Sequence, residues 1–305
     1  MCPDGKYKLF FKSFLNKSAD ELKSLGYIPL AIPCRKCLGC RSDYAKQWAL
    51  RCSLEDYVSD GDSYFVTLTY SDENLPLCSS GSCSGDDFDR LDNFLPTLQK
   101  RDLQLFFKRL RKSDRSFRYF ACGEYGDRTS RPHYHCILFN LGFIDLKLYS
   151  NKNGVQYYTS DELDKIWHLG NVIVTRYEYA TGAYVAKYVS KQFMFDWSDD
   201  DPRQKPFLLM SRNPGIGRAY LDSHPDSILH DSVTFLKGDN VCYSRPPKYS
   251  DYILNNCNRN LFLAIKDGRR IGSSDPLQLF TDDGKLRLSQ AAESAFRHSV
   301  TRKDL

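Results

Sequence analysis

Three strand-like segments follow one another in the middle of the chain, and their order constrains the fold more than any other feature. They cover residues 118–126, 133–141 and 170–179 and are rich in β-branched and aromatic side chains. An earlier segment, YFVTLTY at residues 64–70, alternates in the manner of a half-buried strand. Strands without crossover helices pair antiparallel. The sequence therefore predicts an α+β fold, with an antiparallel sheet of about five strands and helices packed on one face.

Two helices are predicted beside these strands. The first begins at Pro96 and Thr97, and its apolar side chains recur at helical spacing along one face. These side chains are Leu103, Phe106, Phe107 and Leu110. The second helix covers residues 181–193 and begins with small residues.

The chain of 305 residues is long enough for one large domain or two ordinary ones. We divide it into a cysteine-containing head (1–60), a core (61–200) and a C-terminal extension (201–305) that is expected to pack on the core. The early apolar run at residues 9–11 is broken by Lys12, which argues against a signal peptide. No stretch approaches the roughly 20 apolar residues of a membrane helix. With an odd count of 11 cysteines, these features predict a soluble protein of a reducing compartment that has no membrane partner.

Positive charge is concentrated in one segment. The net charge of +5 is modest, but residues 100–118 hold eight basic and two acidic side chains. Such a cluster suits a polyanionic partner, although a solvated helix face is the commoner explanation. The aromatic content of 14% also supplies rings that can stack on single-stranded bases. The residues predicted to contact DNA are Lys108, Arg109, Arg111 and Lys112.

RPHYHCILF, at residues 131–139, places two histidines one residue apart in a strand. Side chains at i and i+2 of a strand share a face and lie about 6.6 Å apart along it. His133 and His135 can therefore bind one ion, and a hairpin would bring Glu124 beside them. Two imidazoles and a carboxylate with open positions suit Mg²⁺ or Mn²⁺ acting on a phosphate better than a closed zinc site. A single strand histidine is more often structural, and it is the combination that points to a metal.

GAYVAKYVSKQ, at residues 182–192, carries two tyrosines one helical turn apart. Tyr184 and Tyr188 thus share one helical face, where either phenol can attack a phosphodiester. Since a tyrosine has a pKa of about 10, it needs activation. Lys187, with Lys191 in reserve, is the predicted source of an ammonium that favours the phenolate. The alternative is an ordinary amphipathic helix that packs two tyrosines.

The combination of HYH, Glu124 and YVAKYVSK resembles the HUH endonuclease superfamily of rolling-circle replication initiators, in particular the two-tyrosine class of microviruses. CRKCLGCR, MSRNPGIG and RPPKY bring the likeness closest to the gokushovirus type, over about residues 33–250. Tyr134 departs from the pattern, because that position is usually a bulky aliphatic residue.

The resemblance implies a concrete reaction and a set of site residues. YFVTLTY would be the first strand motif, His133, His135 and Glu124 the metal ligands, and Tyr184 and Tyr188 the nucleophiles. One tyrosine would nick single-stranded DNA at the replication origin through a 5′-phosphotyrosine link and free a 3′-OH for the host polymerase. The second tyrosine would cut the regenerated origin, after which the displaced circle is closed. The implied location is the host cytoplasm.

Strand separation requires an outside source of energy. No phosphate-binding loop of the G-x4-G-K-[ST] type occurs in the sequence, so a host helicase or DNA supercoiling is expected to supply it.

The N-terminal cysteines admit two interpretations. The C-x2-C-x2-C spacing of Cys34, Cys37 and Cys40 is typical of metal sites, and Cys52 could complete a structural zinc site. The alternative is a set of reduced thiols, and an iron–sulfur cluster is a weaker third interpretation. For the whole chain, the alternative function is a non-catalytic, zinc-containing nucleic-acid-binding protein. A transposase or relaxase relative with the same chemistry is a further possibility.

Overall fold

The structure is a computed structural model that describes residues 38–79, 94–113, 115–126, 129–142, 144–191, 201–229, 233–237 and 240–271. The side chains of residues 38, 187–191, 228–229, 236–237 and 268–271 are outside this description. The chain divides into two compact units. One runs from Ala45 to Arg259, and the other combines Met1–Tyr44 with Asn260–Leu305. The larger unit thus takes residues from all three predicted segments.

The described residues form eight helices and eleven strands. The helices are α1 (Leu38–Tyr57), α2 (Lys100–Arg111), α3 (Asp161–Trp167), α4 (Tyr179–Lys191), α5 (Arg218–Ser223), α6 (Asp226–Leu229), α7 (Lys248–Cys257) and α8 (Arg259–Ile271). The strands are β1 (Tyr64–Tyr70), β2 (Leu77–Ser79), β3 (Phe94–Pro96), β4 (Arg118–Tyr125), β5 (Pro132–Phe139), β6 (Leu146–Lys152), β7 (Val155–Ser160), β8 (Gly170–Arg176), β9 (Phe207–Met210), β10 (Val233–Lys237) and β11 (Asn240–Ser244). None of the described helices is long and apolar enough to span a membrane. The terminal helix expected at residues 286–298 lies outside the described residues.

Seven strands form one antiparallel sheet in the order β6-β7-β8-β1-β5-β4-β9. The α+β class and the antiparallel pairing are therefore confirmed. The β6–β7 hairpin adds two strands to those anticipated, and its turn holds Asn153 and Gly154 at positive φ. Asn-Gly between strand-like runs is a strong hairpin signal, so the sequence did contain the cue.

One face of the sheet carries the larger apolar core. Alternate side chains of β1, among them Val66 and Leu68, pack there with Tyr134 of β5 and Trp167 of α3. The apolar face of α2 covers the same side. Its buried residues are the four expected from helical spacing, Leu103, Phe106, Phe107 and Leu110.

The opposite face of the sheet is also covered by helices. Trp48 of α1 stacks on Phe120 of β4, with ring centroids 4.8 Å apart. Helix α4 packs over β4 and β5 beside it. The structure thus adds a second helical layer to the arrangement that the sequence predicts. The reason is that β4 and β5 are apolar on both faces, as in a sheet that is buried on both sides.

Candidate metal and nucleophile site

The histidine pair lies on the face of the sheet that α4 covers. In the strand register, His135 is opposite Thr67 of β1, and His133 is opposite Glu124 of β4. Residues paired directly across two strands point to the same side. His133, His135 and Glu124 therefore share one face, as the i, i+2 spacing and the hairpin predicted.

His135 is held at both ring nitrogens. Its Nε2 lies 2.9 Å from Oε1 of Glu124, and its Nδ1 lies 3.1 Å from Oγ1 of Thr67. The ring of Phe65 stacks parallel to it, with centroids 5.6 Å apart and planes inclined by 8°. His135 is only 6% exposed and Glu124 only 7%. The imidazole is thus fixed within a strand-built cradle.

His133 lies nearer the start of β5 and is half-buried. Burial lowers its pKa, and the neighbouring His135 and Arg131 act in the same direction. The neutral imidazole, which is the form that binds metals, is therefore favoured at His133. Gly126 lies close by, since a Cβ on that residue would come within 3.1 Å of Nε2 of His133. A glycine at this position leaves room for the ring.

Tyr184 of α4 lies directly against the histidine pair. Its ring meets the ring of His135 edge to face, with centroids 5.6 Å apart, and that of Phe65 at 6.0 Å. The side chain is 38% exposed, so the phenol is accessible from solvent while it contacts the imidazole. Of the two predicted nucleophiles, Tyr184 is thus placed beside the predicted metal ligands.

The remaining predicted residues of α4 cannot be placed. The helix continues through Tyr188 to Lys191. The side chains of Lys187, Tyr188 and Lys191 lie outside the described residues, and their roles stay predictions.

The start of α4 is held by Tyr177, which sequence reasoning missed. Its hydroxyl lies 3.3 Å from Oγ of Ser53 in α1, and its ring packs on Phe139 of β5. Gly182 in the first turns of α4 lies so close that a Cβ there would be 2.8 Å from the Tyr177 hydroxyl. Burial raises the pKa of Tyr177 well above its ordinary value, so this phenol stays protonated. The pattern of the sequence held no signal for this contact, because it joins three distant segments.

The donor set fits a hard divalent cation. Oε2 of Glu124 is buried and has no hydrogen-bond partner among the described residues. An orphaned carboxylate oxygen beside two imidazoles is what a site for Mg²⁺ or Mn²⁺ would offer. No group of three or more His, Cys, Asp or Glu side chains in the described part of the chain already converges on one point. A physical reason is that Glu124 Oε1 is bonded to His135 Nε2, which is itself a ligand atom.

Comparison with known proteins decides the family. The family model for ORF2-type replication-associated proteins matches residues 63–193, which run from β1 to the end of α4. Replication-associated protein ORF2 of Spiroplasma virus 4 is 32% identical over 225 residues, which are 72% of this chain and 67% of that protein. The chain belongs to this family of phage replication-associated proteins.

Two further members of the family match over shorter stretches. Replication-associated protein VP4 of Bdellovibrio phage phiMH2K is 33% identical over 204 residues, 64% of this chain and 58% of its own length. Replication-associated protein ORF4 of Chlamydia phage 1 is 28% identical over 173 residues, 53% of this chain and 39% of its own length. No solved structure matches the chain significantly. The resemblance to microvirus replication initiators is thus confirmed at the level of the family.

Tyr134, which departs from the pattern of the superfamily, has a structural role. Its side chain faces the core on the side of the sheet away from the histidines. Its hydroxyl lies 2.8 Å from that of Tyr70 and accepts a hydrogen bond from the backbone N–H of Gln99. Gln99 is the N-cap residue of α2 and makes no side-chain cap hydrogen bond. In this replication-associated protein, the tyrosine therefore joins β5 to the start of α2.

The basic helix α2 lies on the other face of the sheet from the histidines. Arg109 donates from Nε to the carbonyl of Ile166, which commits it to packing against α3. The guanidinium of Arg111 lies 5.0 Å from the ring centroid of Phe117. Lys108 and Lys112 are exposed. DNA binding by this helix stays a prediction, and any such contact would lie away from Tyr184.

The predicted zinc site is only partly within view. Cys34 and Cys37 lie outside the described residues. Cys40 and Cys52 belong to one helix, in which twelve residues correspond to about 18 Å, so a single ion does not span them. Burial also raises the pKa of the Cys52 thiol, which disfavours the thiolate that zinc requires. These facts argue against Cys52 as the fourth ligand, and a site on the first three cysteines stays a prediction.

Proposed function

We propose that this chain is a metal-dependent DNA endonuclease and strand transferase of the HUH type, which initiates rolling-circle replication of a phage genome. The observation that carries the proposal is the contact between the ring of Tyr184 and that of His135, 5.6 Å apart, on the face that also holds Glu124 and His133. A nucleophile and metal-binding groups on one accessible surface are what this chemistry requires.

The proposed step is an attack by the Tyr184 phenol on a phosphodiester of single-stranded DNA. The bond between Oη and phosphorus forms, and the bond between phosphorus and the 3′ oxygen breaks. The phenol loses its proton, and the leaving oxygen gains one to become a 3′-OH. The new linkage keeps the energy of the broken phosphodiester, so rejoining needs no nucleotide.

The residues of the chain divide this work. His133, His135 and Glu124 would hold Mg²⁺ or Mn²⁺, which when bound polarises the scissile phosphate as a Lewis acid. The stacked ring of Phe65 and the hydroxyl of Thr67 fix His135 in place. Tyr188, one turn after Tyr184, would make the second cut, and Lys187 would favour the phenolate.

The proposed partners follow from this reaction. The substrate is the single-stranded replication origin, the 3′-OH is extended by the host polymerase, and a host helicase separates the strands. The proposed place of action is the host cytoplasm.

A covalent adduct on a denaturing gel tests the proposal. The purified chain is incubated with Mn²⁺ and a library of labelled single-stranded oligonucleotides of random sequence. We expect a labelled protein band with the wild type, a weaker band with Tyr184→Phe or Tyr188→Phe, and none with the double variant. Sequencing the attached DNA end and mass spectrometry of the linked peptide would identify the cut site and the attacking tyrosine.

The matched control is Tyr149→Phe, because Tyr149 is a tyrosine of β6 that is 67% exposed. It should form as much adduct as the wild type. An adduct that persists in the double variant would overturn the assignment of the nucleophiles. Binding without any adduct would favour the alternative, a non-catalytic nucleic-acid-binding protein.

A further inference from the structure

We infer that Thr67 is a positioning residue of the metal site, whose hydroxyl allows His135 to exchange Glu124 for a divalent cation while the ring stays in place. The inference rests on the proposed function, because it concerns the same site. It assigns a role to the middle residue of the first strand motif.

The geometry leaves the imidazole little freedom. Thr67 of β1 is directly opposite His135 of β5, and its Oγ1 lies 3.1 Å from Nδ1 of the ring. Phe65, two residues earlier on the same strand face, covers the ring plane. The edge-to-face ring of Tyr184 closes a further side. Nε2, bonded to Glu124, is the nitrogen that can be given to an ion.

The hydrogen-bond partners define the proton on the ring. An ionised carboxylate only accepts hydrogen bonds, so Nε2 carries the proton when it is bonded to Glu124. In the neutral ring, Nδ1 then holds a lone pair, to which the hydroxyl of Thr67 donates. If a cation binds Nε2 instead, the proton of the neutral ring lies on Nδ1, and the hydroxyl of Thr67 must accept.

The exchange is balanced. One proton leaves Nε2 for solvent and one binds Nδ1, so the charge of the ring does not change. The Thr67 hydroxyl turns about its C–O bond, and Glu124 is released to offer its oxygens to the cation. A hydroxyl serves in both states because it is donor and acceptor, whereas a backbone carbonyl or a carboxylate at this place would only accept.

The test measures metal binding and not cleavage. Thr67→Val keeps the β-branched shape but removes the hydroxyl, and Thr67→Ser keeps the hydroxyl as the matched control. The full chain without DNA is titrated with Mn²⁺, and free Mn²⁺ is measured by electron paramagnetic resonance. We expect Thr67→Val to bind Mn²⁺ roughly 10- to 100-fold more weakly, as for other partners that orient a metal-binding histidine. Thr67→Ser should stay within about threefold of the wild type, since it retains that hydrogen bond.

A second readout reports the ring itself. With ¹⁵N-labelled histidine, the ring signals of His135, assigned by their loss in His135→Ala, should change from the Nε2–H to the Nδ1–H form when Mg²⁺ is added. In Thr67→Val the ring should show a mixture of the two forms. If the valine variant fails to unfold cooperatively, Thr67→Ala, which also lacks the hydroxyl, takes its place.

The outcomes separate this inference from the proposed function. If wild type binds Mn²⁺ and loses it in His133→Ala, but Thr67→Val binds equally well, the role of Thr67 is wrong and the metal site stands. The same holds if Thr67→Ser loses as much affinity as Thr67→Val, because the effect would then come from packing. If wild type binds no Mn²⁺ at this site, the proposed metal chemistry and the role of Thr67 are both overturned.

Discussion

Glu124 is buried with one carboxylate oxygen bonded to His135 and the other without a hydrogen-bond partner among the described residues. An unsatisfied buried acceptor costs about 1–3 kcal/mol of stability. A group kept at such a cost is more readily explained by a ligand than by the fold. At the scale of the residue, Glu124 is therefore the side chain on which function and stability conflict.

Replacing Glu124 with glutamine should separate the two effects. The amide has nearly the same shape but no charge, so we expect formation of the DNA adduct to fall about 100-fold, in the range known for impaired metal sites. The free energy of unfolding should not fall, because the buried charge is removed. Gel assays of the adduct and urea denaturation measure the two quantities.

Glu162→Gln is the matched control for this substitution. Glu162 pairs with Arg115 in a bidentate contact away from the histidines and is part-buried. Its loss should change stability modestly and leave the yield of adduct unaltered. Wild-type cleavage by Glu124→Gln would show that this carboxylate is not a ligand.

At the scale of the element, the hydroxyl of Tyr134 joins a strand to a helix terminus. The first turn of a helix leaves backbone N–H groups without partners inside the helix. Here the N–H of Gln99, at the N-cap of α2, is bonded to the Tyr134 hydroxyl, which also lies beside Tyr70. Tyr70 in turn donates to Asp102 in the first turn of α2. The tyrosine is thus part of a buried chain of hydrogen bonds.

Tyr134→Phe should lower the free energy of unfolding by about 1–3 kcal/mol, the cost of leaving a buried donor unsatisfied. The matched control is Tyr158→Phe, since the Tyr158 hydroxyl bonds Gln156 on an exposed surface and its loss should cost less than about 1 kcal/mol. Urea denaturation at fixed pH gives both values. Since Tyr134 points away from the histidines, adduct formation at low temperature should be unchanged, and a large loss would show that this hydroxyl acts on the site.

At the scale of the whole molecule, the NPGIG segment is clamped between helix α1 and the sheet. Glu55 of α1, which is 2% exposed, forms an ion pair with Arg118 of β4 and accepts from the N–H of Gly217 at 2.6 Å. Arg118 also donates to the carbonyl of Pro214 at 2.6 Å. The three segments are distant in sequence, so this clamp stabilises the tertiary arrangement as a unit.

A second contact joins the RPPKY motif to the same clamp. The guanidinium of Arg51 lies between the rings of Trp48 and Tyr249, 4.1 Å and 4.0 Å from their centroids. Gly215 lies against the Tyr249 ring, because a Cβ there would clash with its hydroxyl oxygen. The two C-terminal motifs of the resemblance therefore have packing roles in this structure.

Glu55→Gln should destabilise the fold by about 3 kcal/mol, since Arg118 and the N–H of Gly217 would lose a charged partner in a buried place. Asp222→Asn is the matched control, as it breaks an exposed i, i+4 pair with Arg218 that is worth about 0.5 kcal/mol. Thermal and urea unfolding measure both changes. Equal effects of the two substitutions would contradict the role of the clamp.

The sequence by itself determined those features that depend on local periodicity. The i, i+2 spacing placed His133 and His135 on one face of a strand, the short loop brought Glu124 beside them, and helical spacing identified the buried side of α2. Only the tertiary structure decided which face of the sheet each helix covers. An apolar stripe shows which side of a helix is buried, but both faces of β4 and β5 are apolar and either can receive it. That choice brought Tyr184 to His135 and left the basic helix α2 on the far side.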